Sequence, residues 1–195
     1  MRTDPLVSAI STEKRRRVLR AIFEYPRRQW SCSALEQITK VSHATVFRAI
    51  SSFQRGGILK PLKINKKDFI YELVNDSPIV DEVQNILNIY SRTAKKIAMQ
   101  LVDQIRSKHI RSAMIYGSSV TGKAGPDSDI DIIIILNKFD FNIQKYIQDK
   151  AAEISSRVNR TISVTITDKR GFKMNDPFAR AIKDSMELLY GKKPY

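Results

Sequence analysis

Apolar positions along the chain keep a helical period over much of its first half. After Ser11, a predicted N-cap, Val18, Ile22 and Tyr25 share one side until Pro26 stops the pattern. The stretch "SALEQITKVSHATVFRAISSFQRGGIL" predicts two more helices: Ser33 caps one carrying Leu35 and Ile38, and Ser42 caps a second carrying Val46, Ile50 and Phe53. Gly56 and Gly57 end it. Two β-rich runs in "ILKPLKINKKDFIYELV" flank a polar tip at 65–68, which predicts a hairpin.

From 79 to 108 the period is helical again, with Val83, Ile86, Leu87 and Tyr90 in a first part and Ile97, Leu101 and Ile105 in a second. This reads as one long helix or as two broken near Ser91. A strand "SAMIY" (112–116) follows, then "DIDIIIIL", then a helix over 141–157 carrying Ile143, Tyr146, Ile147 and Ala151. "TISVTIT" (161–167) is a third strand, and 177–190 is expected to close the chain as a helix. Strands alternating with helices predict a sheet layered with helices. The expected organisation is α+β or α/β in two domains: 1–78, a helical connector at 79–91, and 92–195 with a mixed sheet flanked by helices.

Composition narrows the partners. No stretch approaches the roughly 18 consecutive apolar residues of a membrane span, and "MRTDPLVSAISTEKRRR" lacks the apolar run of a signal peptide, so a soluble, cytoplasmic protein is expected. A single cysteine, Cys32, makes no intrachain disulfide and no metal cluster by itself, which fits a reducing compartment. The net charge of +14 makes a polyanion the first partner to consider. Residues 1–78 carry 15 Lys+Arg against 7 Asp+Glu, so the excess is densest there.

With Val46, Ile50 and Phe53 facing a core, the opposite face of their helix holds Ala44, Arg48, Ser51 and Arg55, which is small, polar and basic. A helix entering a major groove needs such a face. Three helices, a tight "TKVS" connection and a hairpin over about residues 11–75 resemble a winged helix-turn-helix domain. The resemblance implies binding to double-stranded DNA. Ser42, His43 and Thr45 would lie nearest base edges or phosphates, Arg48, Ser51 and Arg55 along the groove, and Lys63, Lys66 and Lys67 where a wing meets the backbone.

The second half places two aspartates at the mouth of an isoleucine run, although acids are depleted in strands. After 112–116, Gly117 and Ser118 turn the chain so that backbone N–H groups and a hydroxyl can hold a phosphate. Gly122, Gly125 and Pro126 return it to the next strand, where Asp129 and Asp131 share one face and Ile130, Ile132 and Ile134 the other. Paired carboxylates beside a phosphate cradle suit a hard cation. The run "GSSVTGKAGPDSDIDI" resembles the nucleotidyltransferase signature of the DNA polymerase β superfamily, above all its minimal prokaryotic members, over about residues 92–190. That resemblance implies a nucleoside triphosphate held by Gly117 and Ser118, and Mg²⁺ held by the catalytic aspartates Asp129 and Asp131.

Active members of that superfamily add a third carboxylate on a later strand. Here the strand reads Ile162, Ser163, Val164, Thr165, Ile166, Thr167, so the place falls to Thr165, or to Ser163 in a shifted register. Asp168 at the strand end could substitute by a loop movement, and Asp140 matches locally but follows the wrong strand. A neutral hydroxyl is a poor cation ligand and no base near neutral pH. The first expectation is therefore a DNA-binding transcriptional regulator with a nucleotide- and Mg²⁺-binding domain of doubtful catalytic competence. The alternatives are an active nucleotidyltransferase moving a nucleoside monophosphate to a protein or nucleic-acid hydroxyl, or an antitoxin-like partner of a toxin. Apolar residues in excess along the connector predict a homodimer.

Overall fold

The structure, a computed structural model, describes residues 4–65, 68–173 and 177–193, and the chain divides into two compact units, 1–87 and 88–195. In the first unit, Asp4 caps a short helix α1 (Pro5–Ile10) by accepting from the N–H groups of Leu6 and Val7. Ser11, expected to open a helix, instead closes α1, and Thr12 caps α2 (Glu13–Glu24) by accepting from the Arg15 N–H. Thr12 is extended whereas Ser11 is helical, and an N-cap needs the extended conformation. For the same reason Ser31, not Ser33, caps α3 (Cys32–Thr39), which Lys40 ends in the left-handed region. Ser42 precedes α4 (His43–Arg55), its hydroxyl 3.0 Å from that of Thr45.

Helix α4 buries Val46, Ile50 and Phe53, as the spacing predicts, but Ile38 of α3 is 47% exposed. Strands β1 (Leu59–Lys63) and β2 (Phe69–Leu73) pair antiparallel, and Trp30 adds a one-residue rung to Tyr71 through two backbone bonds of 2.8 Å. Helix α5 (Pro78–Leu87) buries Val80, Val83 and Leu87 in the core formed by Leu19, Ile22, Trp30, Leu35 and Phe53. Most of the stretch read as a connector is therefore part of the first unit.

The helical pattern breaks at Asn88, and α6 (Ile89–Ile105) opens the second unit. Strand β3 (Ile110–Tyr116), a 3-10 turn (Gly117–Ser119), β4 (Ile130–Leu136), α7 (Phe141–Val158) and β5 (Ile162–Asp168) follow. Helix α8 (Pro177–Ile182), a second 3-10 turn (Lys183–Ser185) and β6 (Glu187–Gly191) complete it. The sheet order is β5-β4-β3-β6, with β4 and β5 parallel and the other pairs antiparallel. Helix α7 supplies the crossover that a parallel pair requires. Ile132 and Ile134 pack with Leu101 of α6 and Ile147 of α7, whereas Ile133 and Ile135 pack with Met114, Phe172 and Leu188 on the other face. Burial on both faces explains the unbroken isoleucine run, each side chain contributing about 1.5–3 kcal/mol.

The expected closing helix over 177–190 is corrected: α8 stops at Ile182, and residues 187–191 form a strand on β3. Without it, the edge of β3 would leave its N–H and C=O groups unpaired, a cost that outweighs the weak helical preference of "MELLY". Among the described residues no helix is long and apolar enough to cross a membrane.

Candidate nucleotide and metal site

Strand β3 delivers the chain to Gly117, whose φ of +76° lies in the left-handed region. A Cβ there would sit 2.8 Å from Asp131 Oδ2, so glycine is required both by conformation and by the closeness of the carboxylate. The Gly117 carbonyl accepts from the N–H groups of Val120 and Thr121 at 3.1 and 3.2 Å, and Ser118 is half-buried on the turn. The return loop closes on itself: the Gly125 N–H donates to Ser128 Oγ at 2.8 Å. Arg160 Nη2 donates to the Ser128 carbonyl at 2.7 Å, and the Ile130 N–H to the Thr161 carbonyl at 2.9 Å. Asp129 is thus anchored on both sides and exposed, while Asp131 is half-buried. Burial raises the pKa of Asp131, and the Asp129 carboxylate raises it further. Two acids that repel at the start of β4, the second of them close against Gly117, fit a divalent cation, which would relieve both effects.

Register decides which hydroxyl faces the aspartates. On β5, Ser163 lies opposite Asp131, and Thr165 lies opposite Ile133, one step further along the same face. Tyr116, opposite Asp131 on β3, reaches across β4 to Thr165, its hydroxyl 3.4 Å from Oγ1, and its ring meets Phe178 edge-on at 5.7 Å. Asp168 is opposite Leu136, at the far end of the strand, about 16 Å from Ser163 at the usual rise per residue. There it accepts from the N–H groups of Gly171 at 2.8 Å and Arg170 at 2.9 Å, and the Gly171 bond leads in holding its pKa below the usual carboxylate range. Asp140 caps α7 by accepting from Asn142 and Ile143. Both spare acids are thus committed to local structure, and among the described residues no group of three His, Cys, Asp or Glu could hold a metal. Nothing in the strand and helix patterns points to Arg160 or to the Tyr116–Phe178 pair; only the folded sheet brings them beside the motif.

In the first unit, Ala44, Arg48 and Arg55 are exposed on α4, with Ser51 half-exposed among them. Arg48 Nε and Arg55 Nε each donate to the carbonyl one turn earlier, and Ser51 Oγ to that of Phe47. His43 is drawn toward α3: its N–H donates to Glu36 Oε1 at 3.2 Å, and Nδ1 lies 2.9 Å from Oε2. Thr12, Lys14 and Arg15 meet Thr45 and Arg48 around a shallow basic depression that the helical pattern alone does not reveal. Lys63 ends β1 in solvent, and Lys66 and Lys67 lie outside the described residues.

Comparison with known proteins gives low-similarity solved structures and one family. A solved toxin–antitoxin complex with AMP-PNP is similar at 19% identity and a TM-score of 0.38, covering 51% of this chain and 74% of that one. A complex of a tri-AMPylated Shewanella oneidensis HEPN toxin with its MNT antitoxin is similar at 16% identity and a TM-score of 0.35, covering 52% and 73%. At such identities and TM-scores the likeness says nothing of activity. No curated protein matches the chain. The family model described as polymerase beta, nucleotidyltransferase matches residues 95–195, more than half of the chain, and the chain belongs to that family.

Proposed function

We propose that the second unit binds a nucleoside triphosphate with Mg²⁺ and transfers its nucleoside monophosphate, slowly, to a hydroxyl of a protein or nucleic acid. The observation that carries this reading is the closeness of the Gly117 turn to Asp131, with Asp129 near enough to raise that acid's pKa. Gly117 and Ser118 hold the triphosphate, and Asp129 and Asp131 hold the cation. When bound, the cation neutralises phosphate charge and orients the α-phosphate. In the transfer, the acceptor oxygen bonds to the α-phosphorus, the bond to the bridging oxygen breaks, pyrophosphate leaves, and the hydroxyl proton passes to solvent. Ser163 and Thr165, the hydroxyls on β5 facing this side, cannot take that proton near neutral pH, which is why transfer is slow.

The test is to mix the protein, Mg²⁺ and labelled nucleotide with lysate. Label should reach an acceptor, and Asp129→Asn or Asp131→Asn should abolish both labelling and metal-dependent nucleotide binding without unfolding the chain. Nucleotide binding indifferent to Mg²⁺ and to both aspartates would overturn the reading. A separate toxin is one protein acceptor that the label would identify.

A second reading concerns the first unit, taken as a winged helix that brings the protein to duplex DNA, with transcriptional regulation as the consequence. It is favoured by the exposed Arg48 and Arg55 on α4 and by the depression that Lys14 and Arg15 share with Arg48. Pairing of two copies would use the apolar face of Val7, Ile10, Ile79 and Ile86, because Val83 and Leu87 are already buried. Light scattering at DNA-binding concentrations measures it, and a monomer mass excludes it.

A further inference from the structure

Arg160 stands where β5 begins, and its guanidinium is spent on neutral groups. Nη2 donates to the Ser128 carbonyl at 2.7 Å and Nη1 to the Tyr90 carbonyl at 3.2 Å. Nε is buried without a partner, and none of the ion pairs among the described residues includes this arginine. Its own backbone is held in turn: Ser155 Oγ donates to the Arg160 carbonyl at 2.7 Å, just after Asn159 ends α7 in the left-handed conformation. A cation could have paired with Asp129, one residue beyond the carbonyl it grips. It grips the backbone instead, which leaves the carboxylate unneutralised while fixing the peptide from which it projects.

We propose, resting on the reading of Asp129 and Asp131 as cation ligands, that Arg160 is a positioning residue for Asp129. It clamps the motif loop to the first turn of α6, so that Asp129 is presented beside Asp131 in one orientation. Arginine is suited to this because its planar fork reaches two carbonyls at once, whereas lysine offers a single point. Partners that orient metal ligands typically change metal affinity by about 10–100-fold when removed.

The experiment titrates Mn²⁺, as the probe cation, into the full chain and follows free Mn²⁺ by electron paramagnetic resonance, with circular dichroism to confirm folding. Arg160→Ala should weaken Mn²⁺ binding about tenfold or more, and Arg160→Lys should recover only part of the loss. In an Asp129→Glu background, which keeps a carboxylate at this position on a longer and freer arm, adding Arg160→Ala should cause a much smaller further loss, because the arginine acts through the position of that aspartate. A merely structural arginine would weaken binding equally in both backgrounds, and that result overturns the proposal, as does unchanged affinity in Arg160→Ala. If Arg160→Ala does not fold, Arg160→Gln is judged by the same two comparisons. Failure of the natural protein to bind Mn²⁺ at all would overturn the reading of the two aspartates itself, and so is distinguishable from failure of the arginine's role.

Discussion

At Asp131 burial and the Asp129 carboxylate both disfavour the charged form, so its folded pKa lies above the unfolded one. A group shifted in that direction supports folding below its unfolded pKa, and the support is lost as pH rises through the folded value. Near neutral pH without metal, ionised Asp131 is therefore a cost, and Asp131→Asn should raise the melting temperature of the metal-free protein at pH 7.5 while changing it little in acid. If Asp129 and Asp131 hold the cation as proposed, Mg²⁺ with nucleotide should stabilise the natural chain and not this variant; melting curves with and without both measure it. The neighbouring strand yields a second prediction. Under the proposed function, since Ser163 rather than Thr165 lies opposite Asp131, Ser163→Asp should add a third anionic ligand and raise the proposed transfer at least about tenfold, a change of about 1.4 kcal/mol in barrier. Thr165→Asp, one step further along, should do less. Asp168→Ala should loosen the turn at 168–171 and leave nucleotide binding unchanged, because its carboxylate is held by Gly171 and Arg170.

Strand β6 is the element that the hydrophobic pattern misses, and it ends at a position with little tolerance. Gly191 has φ +80°, and a Cβ there would run into the Arg111 carbonyl oxygen on β3. Gly191→Ala should therefore cost about 1–3 kcal/mol of stability, read from urea unfolding, and a variant as stable as the natural chain would refute the tight packing of this edge. The contrast with α4 and α7 shows what a sequence carries. Their amphipathic periods bury Val46, Ile50 and Phe53 in α4 and Ile147 and Ala151 in α7, although Tyr146, placed on the same stripe by its spacing, is 46% exposed. Caps are harder, because Ser31 and Ser33 offer the same chemistry two residues apart and only backbone conformation selects between them. The aspartate pair and the lack of a third acid are legible as residue types. Which hydroxyl stands opposite is not, since Ser163 and Thr165 share a face under period-2 alternation and only strand register separates them. Arg160 is invisible for a similar reason: its partners, Tyr90 and Ser128, are distant in sequence.

Over the whole molecule the positive charge is divided unevenly, and the two units can be tested separately by substitution. The +14 net charge predicts affinity for any polyanion, so binding to DNA alone would say little about a specific surface. What discriminates is where the charge acts. Under the winged-helix reading, Lys14 and Arg48 meet phosphates or base edges at one depression, and Arg55 lies further along the same helix. Each phosphate contact removed should reduce the slope of log affinity against log salt by about 0.9, so Lys14→Ala should weaken binding to all duplexes alike and flatten that slope by about one unit. Arg48→Ala should in addition lower discrimination between sequences by about 1–3 kcal/mol, the worth of a good base contact. As a control, Arg157→Ala, which removes an equal charge from α7 of the second unit, should leave the salt slope at its natural value. Fluorescence anisotropy with a labelled duplex at several salt concentrations measures all three variants. Equal losses for Lys14, Arg48 and Arg157 would mean that net charge alone attracts DNA, and the first unit would then lose its claim to a reading surface. Losses confined to Lys14 and Arg48, with Mg²⁺-dependent nucleotide binding intact in both variants, would assign DNA to the first unit and nucleotide to the second.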